Sequence, residues 1–240
     1  MPKVSFIKIV FFYPILVYQN CMDTRSADCY NNDWSNKVGD CAGNIFLGPF
    51  TLNETISRQF DNVRGARFGF NFTIAKIDSW DPNDFLIVFA DEIEIGKFWY
   101  TPADGVDMCY VQYLDLFAEK QIKFNFPEGR SSMKITLDGN FDEPLSNEGW
   151  GAKRFILQIL QPCVAFYSDC NFQGEVWTIC SGNQTNHARD IPFEFKSILI
   201  ENGIQVKMRD PRYYGGQTQT YTSSQYCLSS YQFPKYKQNA

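Results

Sequence analysis

Two hundred and forty residues, 44% of them hydrophobic and 20% charged, are enough for one large or two small globular cores and too apolar for a disordered chain. Aromatics are in excess, with 22 Phe, 13 Tyr and 5 Trp, which favours strands, where flat side chains pack well on a pleated surface. Eight Cys against a single His make imidazole chemistry and His-based metal sites improbable.

The chain opens on Lys3 and Lys8 and then runs apolar from Ile9 to Val17. That basic-then-apolar order predicts a secretory signal peptide over residues 1–20. The run is too short to span a bilayer as a helix, which takes roughly 20 apolar residues, so no membrane span is expected. A buried N-terminal strand is the competing reading, because Val17-Tyr18-Gln19-Asn20 lacks the small residues of a favoured cleavage site. Cleavage would remove two lysines and no acid, leaving a chain more acidic than its formal −5. Without a basic run such a chain repels phosphate backbones, which excludes nucleic acid as a partner.

Cys21, Cys29, Cys41 and Cys109 lie in the first half and Cys163, Cys170, Cys180 and Cys227 in the second. The even number and the absence of any C-x-x-C predict disulfides closed within each half, and hence a secreted chain. Sequons at Asn53, Asn71 and Asn183 are candidate glycosylation sites.

Strands follow in order. From Arg67, Phe68, Phe70, Phe72 and Ile74 alternate with Gly69, Asn71 and Thr73, as in a half-buried strand. The continuous run Phe85–Ala90 predicts a strand covered on both faces. Further alternation appears at Ile122, Phe124 and Phe126, at Met133, Ile135 and Leu137, and at Phe155, Leu157 and Ile159. Short strands punctuated by Pro82-Asn83, Pro127-Glu128-Gly129 and Asp138-Gly139 describe a β-sandwich over residues 21–160. Gln161-Pro162 separates it from a Gly-punctuated second domain over 161–234, with a tail at 235–240.

Asp78, Asp81, Asn83 and Asp84 present oxygens within one loop of the first domain. They fit a structural Ca2+ at the sandwich edge, with Glu148 arriving from a distant strand. They fit equally a solvated turn whose Asp and Asn cap its own backbone, the more common use of these residues. Trp80, Trp99, Tyr100, Tyr110 and Tyr113 are candidates for a sugar-stacking platform, although most large aromatics are core. The nucleophile-elbow, zinc-protease, phosphate-loop and dinucleotide motifs are all missing, and His187 sits in a polar loop beside a sequon. Paired carboxylates for glycoside hydrolysis remain open, with Asp78, Asp91, Glu92, Glu94, Asp142, Glu143 and Glu148 as candidates. A non-enzymatic chain is expected.

The second domain contains Tyr167-Ser168-Asp169-Cys170-Asn171-Phe172-Gln173-Gly174, followed by Ser197. Met208, Tyr213 and Gly215 repeat the aromatic, aromatic and Gly positions. These residues resemble the βγ-crystallin Greek-key signature. The resemblance implies a double Greek-key domain with Tyr167 and Phe172 stacked in a folded hairpin, Gly174 in a conformation a Cβ would strain, and Ser197 bonded to that hairpin. The family's usual calcium-binding stretch lacks its acidic pair at Pro192–Ser197 and at Gln225–Ser230, so two-site calcium binding is not expected there. The first domain resembles, more loosely, jelly-roll modules of ciliate secreted proteins, through Ile77-Asp78-Ser79-Trp80-Asp81 and Trp150-Gly151. The order of the two is similar to ciliate secretory-granule proteins of the granule-tip and granule-regeneration type. That implies a secreted, disulfide-stabilised structural or assembly protein, a granule cargo with calcium-linked assembly whose partners are other secreted proteins. A carbohydrate-binding module on the first sandwich is the alternative.

Overall fold

The computed structural model describes residues 6–11, 13–20, 33–109, 113–185, 190–209 and 218–228. Among them every regular element is a strand apart from one 3-10 turn, so the fold is all-β. The described strands form antiparallel sheets and close no barrel.

The first unit is sandwich-like. One sheet runs in the order β5 (Thr55–Asp61), β10 (Ser132–Asn140), β7 (Phe85–Ala90), β8 (Ile93–Phe98). The other runs β3 (Val38–Cys41), β4 (Asn44–Phe50), β11 (Glu148–Asp169), β6 (Gly65–Asp78), β9 (Leu116–Asn125). The two-residue period of β6 turns Phe68, Phe70, Phe72 and Ile74 inward, beside Ile122 and Phe124 of β9 and Phe155, Leu157 and Ile159 of β11. The facing sheet supplies Ile56, Phe60, Leu86, Val88, Met133, Ile135 and Leu137. Much of the aromatic excess is spent here: the Phe155 ring stacks on Trp34 at 4.4 Å and lies parallel to Phe70 at 6.2 Å.

The run in β7 departs from the expectation of cover on both faces. Leu86, Val88 and Ala90 are buried, but Phe85, Ile87 and Phe89 are only half-buried. The outer face of this sheet is left to solvent, and Lys97 Nζ sits 3.5 Å from the Phe85 ring centroid.

The second core is built on the far end of β11. There β12 (Gln173–Cys180) and β14 (Ser197–Leu199) pair with it. A further sheet runs β13 (Gln184–Thr185), β1 (Phe6–Phe11), β15 (Ile204–Arg209), β16 (Thr218–Tyr221). Val164, Phe166, Ile179, Phe195, Ile198, Val206 and Met208 fill the core, joined by Ile7 and Ile9 of β1. Gln161 and Pro162 lie inside β11, where its register against β6 shifts, so the two cores share a strand and no linker separates them. The segment read as a leader contributes to both units, because β1 pairs with β15 and β2 (Ile15–Gln19) pairs with β11 over Ile156–Ile159.

Disulfides join Cys41 to Cys109 in the first half, and Cys163 to Cys180 and Cys170 to Cys227 in the second. Cys21 and Cys29 lie outside the described residues. Between β11 and β12 the chain folds back through a 3-10 turn at Cys170–Phe172. The Tyr167 and Phe172 rings meet at 5.8 Å. Gly174 has φ +82°, and a Cβ there would lie 2.1 Å from Ser168 Oγ. The buried Ser197 hydroxyl accepts from Phe172 N at 3.0 Å and donates to Asp169 O at 2.5 Å. Met208 is fully buried, while Tyr213 and Gly215 fall outside the described residues. Among the described residues no helix is long and apolar enough to cross a membrane.

Candidate functional site

Two connections meet at one corner of the first unit. The turn Asp81-Pro82-Asn83-Asp84 joins β6 to β7 and is closed by Asp84 N donating to Asp81 O at 2.9 Å and by Asp81 N donating to the Asp84 carboxylate. Proline at the second position presets φ for such a turn, and Asp residues cap its backbone. The segment 140–148 joins β10 to β11, tightened by Asn147 N and Glu148 N on Pro144 O. Ser79 N donates to Asn147 O at 3.0 Å, and the Trp80 indole N–H donates to Gly149 O at 2.8 Å, pinning one connection to the other.

Oxygens of Asp84, Asp142 and Glu148 converge there within 4.8 Å of one another. Asp84 and Glu148 are 2% and 1% exposed, whereas Asp142 faces solvent. Glu148 Oε1 accepts from Glu143 N at 2.6 Å, but Glu148 Oε2 is buried without a partner, as is Glu143 Oε2. Burial, and after it the contact with Asp84, pushes the Glu148 carboxyl up to about 8. Of the residues that sequence marks for calcium, the structure brings Asp84 and Glu148 together. Asp81 and Asn83 are exposed on the turn and stand outside the cluster. Asp142, in the sequence only one of several scattered acids, completes it.

Asp78 stands outside this cluster, and its main chain serves a different network. Its backbone N–H donates to Asp115 Oδ1 at 3.0 Å, and Asp115 also accepts from Met108 N and Cys109 N. Lys76 Nζ donates to Asp78 O and Leu114 O. Burial, then the neighbouring Asp115 charge, raises the Asp78 pKa, and burial lowers that of Lys76. Asp115 lies close to Cys41 and Cys109, but both sulfurs are held in their disulfide and are not thiolate ligands. This buried group anchors the loop before β9 to the sheet.

Beside the carboxylates lies a cleft of about 450 Å3 lined by Pro82, Asn83, Asp84, Phe85, Lys97, Trp99 and Asn140. The register aligns Asn140 with Phe85, and Leu86 with Phe98, so Asn140, Phe85 and Trp99 form a row across β10, β7 and the end of β8. Trp99 is 67% exposed. Trp80 is fully buried, edge-on to Phe141 at 4.8 Å, and belongs to the core, which corrects its place in a sugar platform. Tyr100 turns inward against Trp80 at 5.3 Å, and burial pushes its hydroxyl up to about 12, so it too stands apart from the cleft. Tyr113 is exposed but does not line the cleft, and Tyr110 and His187 lie outside the described residues.

Among the sequons, Asn53 and Asn183 are exposed. Asn71 is half-buried in mid-strand between Ile156 and Gln121, with Oδ1 buried and unpartnered.

No family model matches the chain, and no curated protein does. Among solved structures the chain is similar to dimeric latent PorU from Porphyromonas gingivalis, at 12% identity and a TM-score of 0.36 over 65% of this chain. The match spans 13% of the PorU chain.

Proposed function

We propose that this is a secreted, disulfide-stapled, non-enzymatic module whose first unit, a jelly-roll-like sandwich, binds carbohydrate at the Trp99 cleft, followed by a βγ-crystallin-like double Greek-key unit. The observation that carries the reading is Trp99, 67% exposed on a solvent-facing sheet in a row with Phe85 and Asn140. An indole face takes the C–H face of a pyranose, and the amides of Asn83 and Asn140 with the Lys97 ammonium supply donors and acceptors for its hydroxyls. Disulfides in both halves support an oxidising compartment. The hairpin geometry at Tyr167, Phe172, Gly174 and Ser197 supports the Greek-key reading. Against hydrolysis stands the burial of Asp84 and Glu148, since a catalytic carboxyl must reach its substrate.

A polysaccharide pull-down and glycan array with wild type and Trp99→Ala test the reading. The variant should lose retention with an unchanged circular-dichroism spectrum and Tm; retention equal to wild type refutes it.

One observation favours the second reading, an assembly protein of a secretory granule. Val176 and Tyr226 are 55% and 65% exposed, and they flank the rings of Tyr167 and Phe172 through the pairing of Val176 with Tyr167 and a Phe172–Tyr226 contact at 4.9 Å. Such an apolar ladder suits contact with another copy. Concentration-dependent oligomers abolished by Tyr226→Ser would support it; a monomer at every concentration would remove it.

A further inference from the structure

We propose that Asp84, Asp142 and Glu148 form a binding site for a hard divalent cation, calcium in preference to magnesium, which clamps the Asp81–Asp84 turn to the 140–148 segment. Three carboxylates from three separate places in the chain converge within 4.8 Å, one after β6, one after β10 and one opening β11. Two of them are sealed from water. Packing buried carboxylates together costs heavily unless a proton or a cation lies among them, and among the described residues no lysine or arginine forms an ion pair with any of the three.

Backbone donors meet only part of the demand. Glu143 N takes Glu148 Oε1 and Asp81 N takes Asp84 Oδ2. Glu148 Oε2 remains, on a side chain 1% exposed and beside the Asp84 carboxyl, without a donor from the chain. A ligand is the group that would complete it. The donor set is all oxygen, with no nitrogen or thiolate, which selects hard cations over zinc or copper. Asp142 on the solvent side gives an entry path and leaves space for water ligands. Calcium accepts irregular shells of 6–8 oxygens and bidentate carboxylates, whereas magnesium requires a near-ideal octahedron that this set of three does not prescribe.

The clamp has a consequence for its neighbour. Asn83 on the turn and Asn140 on the other segment line the Trp99 cleft and are already joined, Asn140 Nδ2 donating to Asn83 O at 3.0 Å. A cation would therefore fix the spacing of the cleft's polar walls. The proposal stands apart from the saccharide reading, because the ion itself is measured.

The test uses the oxidised 240-residue chain, stripped with EDTA, desalted and titrated with terbium(III). Trp80, near Asp84 in the chain, serves as sensitiser. The expected result is saturable single-site emission, displaced by calcium at a concentration at least about tenfold lower than by magnesium. Asp142→Asn, at an exposed position that leaves the fold intact, should weaken terbium binding about tenfold or more. Glu148→Gln should melt in EDTA at or above the wild-type temperature and lose the rise in Tm that calcium gives wild type. Absent saturable emission, or Asp142→Asn binding like wild type, overturns the site; equal displacement by magnesium overturns the preference for calcium.

Discussion

Ser197→Ala is the sharpest probe of the folded-back hairpin. The Ser197 hydroxyl is buried and serves two backbone groups at once, Phe172 N at 3.0 Å and Asp169 O at 2.5 Å, bridging β14 to the 3-10 turn across the sequence. Alanine removes no packing volume beyond one oxygen, so the loss is nearly all hydrogen bonding. A part-buried donor and acceptor left unpaired cost about 1–1.5 kcal/mol each, giving about 2–3 kcal/mol together. For a chain of this length each kcal/mol moves Tm by about 2–4 °C, so scanning calorimetry of the oxidised protein should show a fall of about 4–12 °C. Ser168→Ala is the control: Ser168 Oγ accepts from Glu175 N at 2.9 Å and donates to Asp169 Oδ2 at 3.5 Å, both where water can replace it, and its loss should cost under about 1 kcal/mol. If Ser197→Ala melts within about 1 °C of wild type, the hydroxyl does not hold the hairpin and the Greek-key reading loses its structural support.

Other outcomes follow from the same geometry. Phe155→Ala opens a hole among Trp34, Phe70 and Phe72 and should cost about 3–5 kcal/mol in a urea melt. Replacing Cys41 and Cys109 together by Ser releases a crosslink between residues 68 apart and should cost about 4 kcal/mol on the chain-entropy account. Burial raises the Asp138 pKa, so its contribution to stability is present below the ordinary carboxylate range and is lost as pH rises through that range to the folded value. Asp138→Asn should therefore gain on wild type as pH rises from about 3 to about 6 in paired thermal melts, and a constant difference would count against this.

The sandwich was legible because its strands carry the period of two plainly, as Phe68, Phe70, Phe72 and Ile74 do, and because inward positions are large and aromatic. β11 was harder to read. It spans 22 residues, bulges at Arg154 where φ is +57°, and passes from one core into the other at Gln161-Pro162, a dipeptide that read as a boundary. The N-terminal segment is ambiguous for a related reason. Ile7, Lys8 and Ile9 suit a basic leader, and they equally suit β1, where both isoleucines are buried and Lys8 is exposed. At the site, Asp84 was marked by the density of oxygens in its loop, with Glu148 read as arriving from a distant strand, but the same density drew in Asp78, Asp81 and Asn83. Register pairs Asp78 with Glu148, yet the oxygens that gather at Glu148 are those of Asp84 and Asp142, while the Asp78 main chain is held by Asp115. For the aromatics, residue type marked both Trp80 and Trp99; only the position of Trp99 at the outer end of β8 separates a surface indole from a core one.

The most direct measurement of the central claim is acrylamide quenching of tryptophan fluorescence with and without a saccharide retained by the wild-type protein. Trp34, Trp80 and Trp150 are buried and Trp177 is half-buried, so Trp99, 67% exposed, is the most accessible of the five indoles, and Trp99→Ala isolates its share of the quenching. Saccharide stacked on the Trp99 indole should lower the quenching constant and shift the emission to the blue, and Trp99→Ala should abolish both changes. Bound saccharide that leaves quenching unchanged, or protection that persists in Trp99→Ala, would contradict the account.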